Sequence, residues 1–299
     1  MIRFAGVYAA LLTPRHTDGA LDIDSYQHQL RALSTDGLVG YAINGATGEF
    51  TISSEQDLER LLIATRHAAP NTEILCGIGA GDVPGAVRRG RLAAAAGAKA
   101  VLLPMPFFFP YRQDDLRSFA LEVASKIEIP VLLYNLPQFT TGLEVETVLS
   151  LLQEHDNIVG IKDSSGSLEI VRAITRADIA AARLIGNDGV LCEALTEGVC
   201  DGVVSGVACA LPKLMTSLFD TGGKGTVFPN SKKLLEEFIE QLNVLPTPWG
   251  LKVISAARNF TRESYPFSLS PSRREETAQL YAWFTNWYKS TLSRDIDAA

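Results

Sequence analysis

The chain has 299 residues, 46% hydrophobic and 20% charged, a composition that supports a large buried core and excludes an intrinsically disordered polypeptide. Its 34 acidic and 27 basic residues give a formal net charge of -7, which argues against a surface built to neutralise nucleic-acid phosphates or to lie on an anionic membrane. The longest apolar run, at 101–109, is broken by proline and falls short of the roughly 20 residues a transmembrane helix needs.

In chain order, short runs rich in Val, Ile and Leu alternate with longer amphipathic segments. Strands are predicted at 6–14, 37–44, 73–79, 98–104, 129–135, 157–162, 182–186 and 199–205. Helices are predicted between them at 24–36, 53–69, 83–96, 114–126, 145–154, 168–176 and 191–197. Ser53 with Gln56 reads as a capping box for the second of these, and Asp82 as the cap of the third. Most of the eight strand runs are continuously apolar, as parallel strands covered on both faces must be. Two architectures fit, an open doubly wound sheet or a closed (β/α)8 barrel. Eight units within about 200 residues favour the TIM barrel. The best candidate for a dinucleotide fingerprint, GIGAGD at 77–82, follows the third strand and has Asp82 where the third glycine belongs, a weak match.

Past Ser205 the strand pattern stops. Helical spacing continues at 211–219, 231–242, 249–259 and 272–292, separated by TGGKG, LPTP and SYPFSLSP turns. The expected organisation is a catalytic barrel over 1–209 and a helical extension over 210–299. The extension would pack on the barrel or on another subunit, with Trp249, Trp283, Phe284 and Trp287 on a buried face.

In a (β/α)8 barrel the chemistry sits at the C-terminal ends of the strands, so position sorts the candidates. Lys99 precedes its strand and falls on the stability face, whereas Lys162 ends the sixth strand and points at the site. A lysine inside an apolar barrel mouth is costly when charged, which favours the free, nucleophilic amine. The competing reading is an ion pair with Asp163 or another loop acid. The second strand ends in NGATGE at 44–49, a turn able to aim backbone N–H groups at a small anion, or simply a tight βα turn. Tyr134 ends the fifth strand and can donate or accept a proton, or merely pack. Together, an amine, an anion turn and a phenol are the parts needed to activate a 2-keto acid by Schiff-base formation, without metal or cofactor.

His16, His28, His67 and His155 are scattered and read as surface residues, so neither a metal site nor a histidine base is assigned. The Phe107, Phe108 and Phe109 run is either core or an apolar wall above the barrel. Four cysteines without CxxC spacing read as buried free thiols. The N-terminal apolar stretch ends in Thr13-Pro14 and not in a small-residue cleavage site. Both features point to the cytoplasm.

GATGE at 45–49, YNLPQFTTG at 134–142, GIKDSSG at 160–166, GND at 186–188 and GVVSG at 202–206 make the chain resemble the dihydrodipicolinate synthase / N-acetylneuraminate lyase family of pyruvate-dependent class I aldolases. The resemblance runs through almost the whole chain. It implies a homotetramer or homodimer, with Lys162 as Schiff-base lysine, Tyr134 as proton relay, and Thr47 with the amides of Ala46 and Gly48 as the keto-acid carboxylate turn. Val204 matches an apolar residue that contacts pyruvate. Three positions depart from the synthase pattern: Ala46 replaces a turn hydroxyl, Phe108 a relay tyrosine contributed across a dimer interface, and Phe139 an arginine that receives the second substrate's carboxylate. A lyase or aldolase acting on a 2-keto acid, such as a 2-keto-3-deoxy sugar acid, is therefore expected. Its alternatives are a dihydrodipicolinate synthase with an altered relay and a catalytically idle keto-acid-binding scaffold.

Overall fold

The computed structural model describes residues 2–34, 36–222 and 229–292. Most of the predicted TGGKG turn lies outside them. Eight strands, β1 (Gly6–Ala10), β2 (Gly40–Ile43), β3 (Glu73–Gly77), β4 (Ala100–Pro104), β5 (Val131–Asn135), β6 (Ile158–Asp163), β7 (Ala182–Ile185) and β8 (Gly202–Ser205), pair in parallel and in order. The barrel closes where β1 pairs with β8, Gly6 opposite Gly202 and Val7 opposite Val203. No helix among the described residues is long and apolar enough to cross a membrane.

Strand pleating divides the continuously apolar runs between two cores. Tyr8, Ala10, Ala42, Leu75, Leu102, Leu132, Leu184 and Val204 fill the barrel interior. Their neighbours in sequence, among them Val7, Tyr41, Ile43, Val101 and Leu133, belong to the larger core beneath the helices. The observed strands are mostly shorter than the apolar runs. Leu11 and Leu12, for example, are 1% exposed but lie past β1, because burial continues into the loops after ladder pairing has ended.

The outer layer comprises α1 (Ile23–Leu33), α2 (Glu55–Ala68), α3 (Val83–Ala95), α4 (Gln113–Ala124), α5 (Val145–Glu154), α6 (Glu169–Arg176), α7 (Leu191–Thr196) and α8 (Pro212–Gly222). Asp82 caps α3 by accepting from the Gly85 N–H at 2.9 Å, as its position predicts. The capping box of α2 lies one residue later than expected, on Ser54 and Asp57. Ser53 is instead buried in a network, where its hydroxyl accepts from Arg15 and its carbonyl from Arg89. Helix α8 packs against β1, so it completes the barrel, and the extension proper begins after it.

That extension is α9 (Pro229–Leu242), α10 (Trp249–Ala257) and α11 (Pro271–Trp287), with a π turn at Tyr288–Leu292. Trp283 and Trp287 stack at 5.2 Å and, with Phe284, pack on Phe238 of α9. Trp249 is separate from this cluster and packs on Tyr265. Cys76, Cys192 and Cys209 are buried, but Cys200 is only partly so. It lies at the N-terminal end of the barrel beside the Arg183–Asp201 ion pair, with Sγ 3.2 Å from the Gly202 carbonyl. Lys99 sits at the same end, paired with Glu73 at 2.6 Å.

Candidate active site

Parallel register sets Tyr134 of β5 directly opposite Lys162 of β6. Both side chains face inward, are 3% and 4% exposed, and meet where the Lys162 ammonium donates to the Tyr134 hydroxyl at 2.8 Å. The next residue on each strand faces the other way. Asn135 Nδ2 donates to Asp163 at 3.0 Å, and the Ser165 N–H donates to the same oxygen at 2.9 Å. Strand alternation thus sends Asp163 away from Lys162 and removes the simplest ion-pair reading of the lysine. Burial pushes the Asp163 carboxyl upward, with its hydrogen bonds opposing.

Space for Lys162 comes from a gap on β7's exit. A Cβ on Gly186 would stand 2.8 Å from Lys162 Cε and 2.1 Å from Ser164 Oγ, so any side chain there would displace the lysine. The following Asp188 reaches the same cavity. Its Oδ2 accepts from the Val207 N–H at 3.1 Å, while Oδ1 is sealed from solvent and has no hydrogen-bond partner. Burial raises its pKa, and hydrogen bonds and the Lys162 charge pull the other way.

The turn after β2 is held by left-handed residues at both ends, Asn44 with φ 53° and Glu49 with φ 54°. Asn44 Nδ2 donates to the Gly77 carbonyl at 2.7 Å, and a Cβ on Gly77 would fall 2.0 Å from the Asn44 carbonyl oxygen. Inside the turn, the Glu49 and Phe50 N–H groups bond back to Ala46 and Gly45. Among the described residues the Thr47 and Gly48 N–H groups have no backbone acceptor. The far end is anchored by an almost fully buried ion pair, Glu49 to Lys252 of α10 at 2.7 Å, which also donates to the Ser264 carbonyl. Burial lowers the Lys252 pKa, and Glu49 opposes that shift.

These elements enclose a cavity of about 320 Å³ at the C-terminal mouth. Of the residues singled out from sequence, Lys162, Tyr134, Ala46, Thr47, Val204 and Phe139 line it. Gly48 is not in the lining, and a Cβ on it would stand 3.1 Å from the Asn44 backbone and 3.2 Å from the Thr13 hydroxyl. Phe108 does not reach the cavity of its own chain. It is 89% exposed with φ 83°, its ring against Phe109, while Phe107 turns inward to pack edge-on against Phe50 at 5.7 Å.

Sequence reasoning missed two contributions. Asp188 sits in the GND run, a motif whose spacing alone does not show that its carboxylate turns inward. The roof comes from the extension, where Ile239, Leu242, Thr247, Pro248 and Leu251 overhang Lys162. Their helical periodicity was visible, but nothing local indicates which barrel end a helix will cover.

A closed parallel barrel with a buried lysine and phenol at its C-terminal mouth defines a barrel enzyme, and the comparisons say of which kind. The model of the "Dihydrodipicolinate synthetase family" matches residues 3–281. A protein of Methanothrix thermoacetophila named 4-hydroxy-tetrahydrodipicolinate synthase is 33% identical over 286 residues, 93% of this chain and 95% of that one. The protein of that name from Xanthomonas axonopodis pv. citri is 34% identical over 226 residues, 74% of each chain. Among solved structures, Aquifex aeolicus dihydrodipicolinate synthase superposes with a TM-score of 0.86 at 21% identity, covering 95% of this chain and 98% of that one. Mycoplasma synoviae N-acetylneuraminate lyase superposes at 0.81 with 20% identity, covering 95% and 98%. At such identities the superpositions speak for the fold. The chain belongs to the dihydrodipicolinate synthetase family and is a class I lyase.

Proposed function

We propose that the chain acts on pyruvate or a larger 2-keto acid through a Schiff base on Lys162, without metal or cofactor. The observation that carries this reading is the buried 2.8 Å contact between Lys162 Nζ and the Tyr134 hydroxyl. An amine at the barrel mouth attacks the keto carbon and expels water. The resulting iminium draws electrons from the bond beside it, so the next carbon can gain or lose a substituent. Tyr134, already in hydrogen-bond reach, carries the protons. The Thr47 hydroxyl and N–H hold the carboxylate, and Val204 packs against the substrate's carbon chain. In this reading the enzyme cleaves or dehydrates a 2-keto acid, for which a 2-keto-3-deoxy sugar acid is one example, and works as a homotetramer or homodimer in the cytoplasm.

The names of the curated relatives favour a second reading, condensation of pyruvate with aspartate semialdehyde. The cavity weighs against it. Among the described lining residues Lys162 is the only cation, and Phe139 occupies the wall where the resemblance would require arginine. A missing charge-assisted contact costs roughly 1.5–3 kcal/mol, about tenfold to more than a hundredfold in binding. The reading is tested by proton exchange in D2O. The wild type should wash the methyl protons out of pyruvate through the enamine, and Lys162→Ala should not. Wild-type protein that leaves the methyl signal intact would refute enamine formation.

A further inference from the structure

We propose that the group carried on C4 of the substrate is an aryl group, so that the chain cleaves a 4-hydroxy-2-keto acid to pyruvate and an aromatic aldehyde, or runs that reaction in reverse. This rests on the Schiff-base reading above and names the substrate class that the site would take.

A second cavity, about 340 Å³, adjoins the Lys162 cavity and shares Ala46, Phe139, Thr247 and Pro248 with it. Both volumes fall within the roughly 300–1,000 Å³ typical of small-molecule sites. The other walls are mainly aromatic and aliphatic, supplied by Phe50, Ile52, Phe107 and Pro266. They are held in place by the Phe50–Phe107 edge contact and a backbone bridge between Phe107 and Thr140, which ties the loop after β4 to the loop after β5. The chamber is therefore built on two loops braced against each other.

Among the described residues its polar side chains are few, Glu49, Thr51, Thr140 and Thr247. Glu49 is the only charged residue among the described lining residues, and its carboxylate is bound by Lys252 at 2.7 Å. The Thr140 hydroxyl donates to the Leu136 carbonyl at 3.2 Å. A polyhydroxyl chain entering here would find few side-chain partners beyond Thr51 and Thr247, and each hydroxyl buried without one would cost roughly 5- to 150-fold in affinity. An anionic aldehyde would meet no cation among the described lining residues. An aromatic ring buries apolar surface against Phe50, Phe107 and Phe139 and gains edge-to-face contacts. Ala46 fits the same logic, because it sets a methyl group where the two cavities meet.

The reaction balances without oxidant or reductant. Lys162 Nζ attacks C2, and the carbinolamine hydroxyl takes the Tyr134 proton and leaves as water, giving the iminium and a Tyr134 phenolate. Tyr134 takes the proton of the C4 hydroxyl as the C3–C4 bond breaks, and the bond pair neutralises the iminium as an enamine. The aldehyde departs, C3 recovers the proton from Tyr134, and water adds to C2 and returns one proton to the Tyr134 phenolate, releasing pyruvate and the free amine.

The test is a panel of condensations of pyruvate with benzaldehyde, glyceraldehyde and aspartate semialdehyde, run beside methyl-proton exchange of pyruvate alone. The expected result is a kcat/KM for benzaldehyde at least about tenfold above the other two. Phe139→Arg, at a half-exposed position that tolerates a long side chain, should lower the benzaldehyde to aspartate semialdehyde ratio by a similar factor. Wild-type enzyme that exchanges the pyruvate methyl protons yet prefers a polar aldehyde, or shows no preference, would overturn the aryl proposal while leaving the Schiff base standing. Absence of exchange would remove the Schiff base, and this proposal with it.

Discussion

At the residue scale, two side chains that strand register places opposite each other divide the chemistry. Replacing Tyr134 by Phe keeps the ring and removes the hydroxyl. Turnover should fall by about 10²- to 10⁴-fold, the range of a lost general acid-base group, while Lys162 remains available for adduct formation. Steady-state rates measured beside adduct yield would separate these effects, and near-normal turnover would mean the phenol only packs. Asp188 supports a pH prediction. Burial raises its native pKa above the unfolded value, so between those two values the folded chain binds more protons than the unfolded one. Its contribution to stability is fully present below the unfolded value and is lost as pH rises through the folded value. Asp188→Asn abolishes that loss, so its urea midpoint relative to wild type should be more favourable at pH 7 than at pH 4. The opposite trend would mean that the Lys162 charge outweighs burial. Lys162 and Tyr134 were legible from sequence because each closes an apolar strand. The direction of Asp188 was not, since it depends on the turn after β7 and on Val207 beyond β8.

At the element scale, the carboxylate turn is only as rigid as its attachments. The Lys252–Glu49 pair ties the turn after β2 to α10, with the two side chains 4% and 10% exposed. Lys252→Met would leave Glu49 buried without its counter-ion, and should cost about 3–5 kcal/mol in chemical denaturation. Adding Glu49→Gln should recover part of that loss. A double variant as unstable as the sum of the two single variants would show that the pair does not act as a unit. This contact explains where sequence reading stops. Strand and helix order follows from apolar periodicity, and α3 was placed almost to the residue because Asp82 marks its start. Lys252 sits in an otherwise apolar helix, and no local pattern pairs it with a glutamate beside the second strand.

At the scale of the whole molecule, the extension roofs the barrel mouth as well as lengthening the chain. Closed parallel topology was readable from eight uniformly apolar runs; the roof was not, because amphipathic helices reveal a buried face but not its partner. The molecule also leaves Phe108 89% and Phe109 61% exposed and in contact with each other on the loop after β4, adjacent apolar surface of the kind an oligomer interface covers. With the proposed homo-oligomer, sedimentation should give a dimer or tetramer, and Phe108→Asp should shift it toward monomer. A wild-type chain that sediments as a monomer would contradict that assembly.

The central claim is a covalent bond between Lys162 and a keto acid. Borohydride reduction in the presence of pyruvate, followed by intact mass and peptide mapping, tests it most directly. The account predicts one added pyruvate less water plus two hydrogens, carried on the peptide containing Lys162 and absent from Lys162→Ala. An unmodified chain, or an adduct on any other lysine, would contradict it.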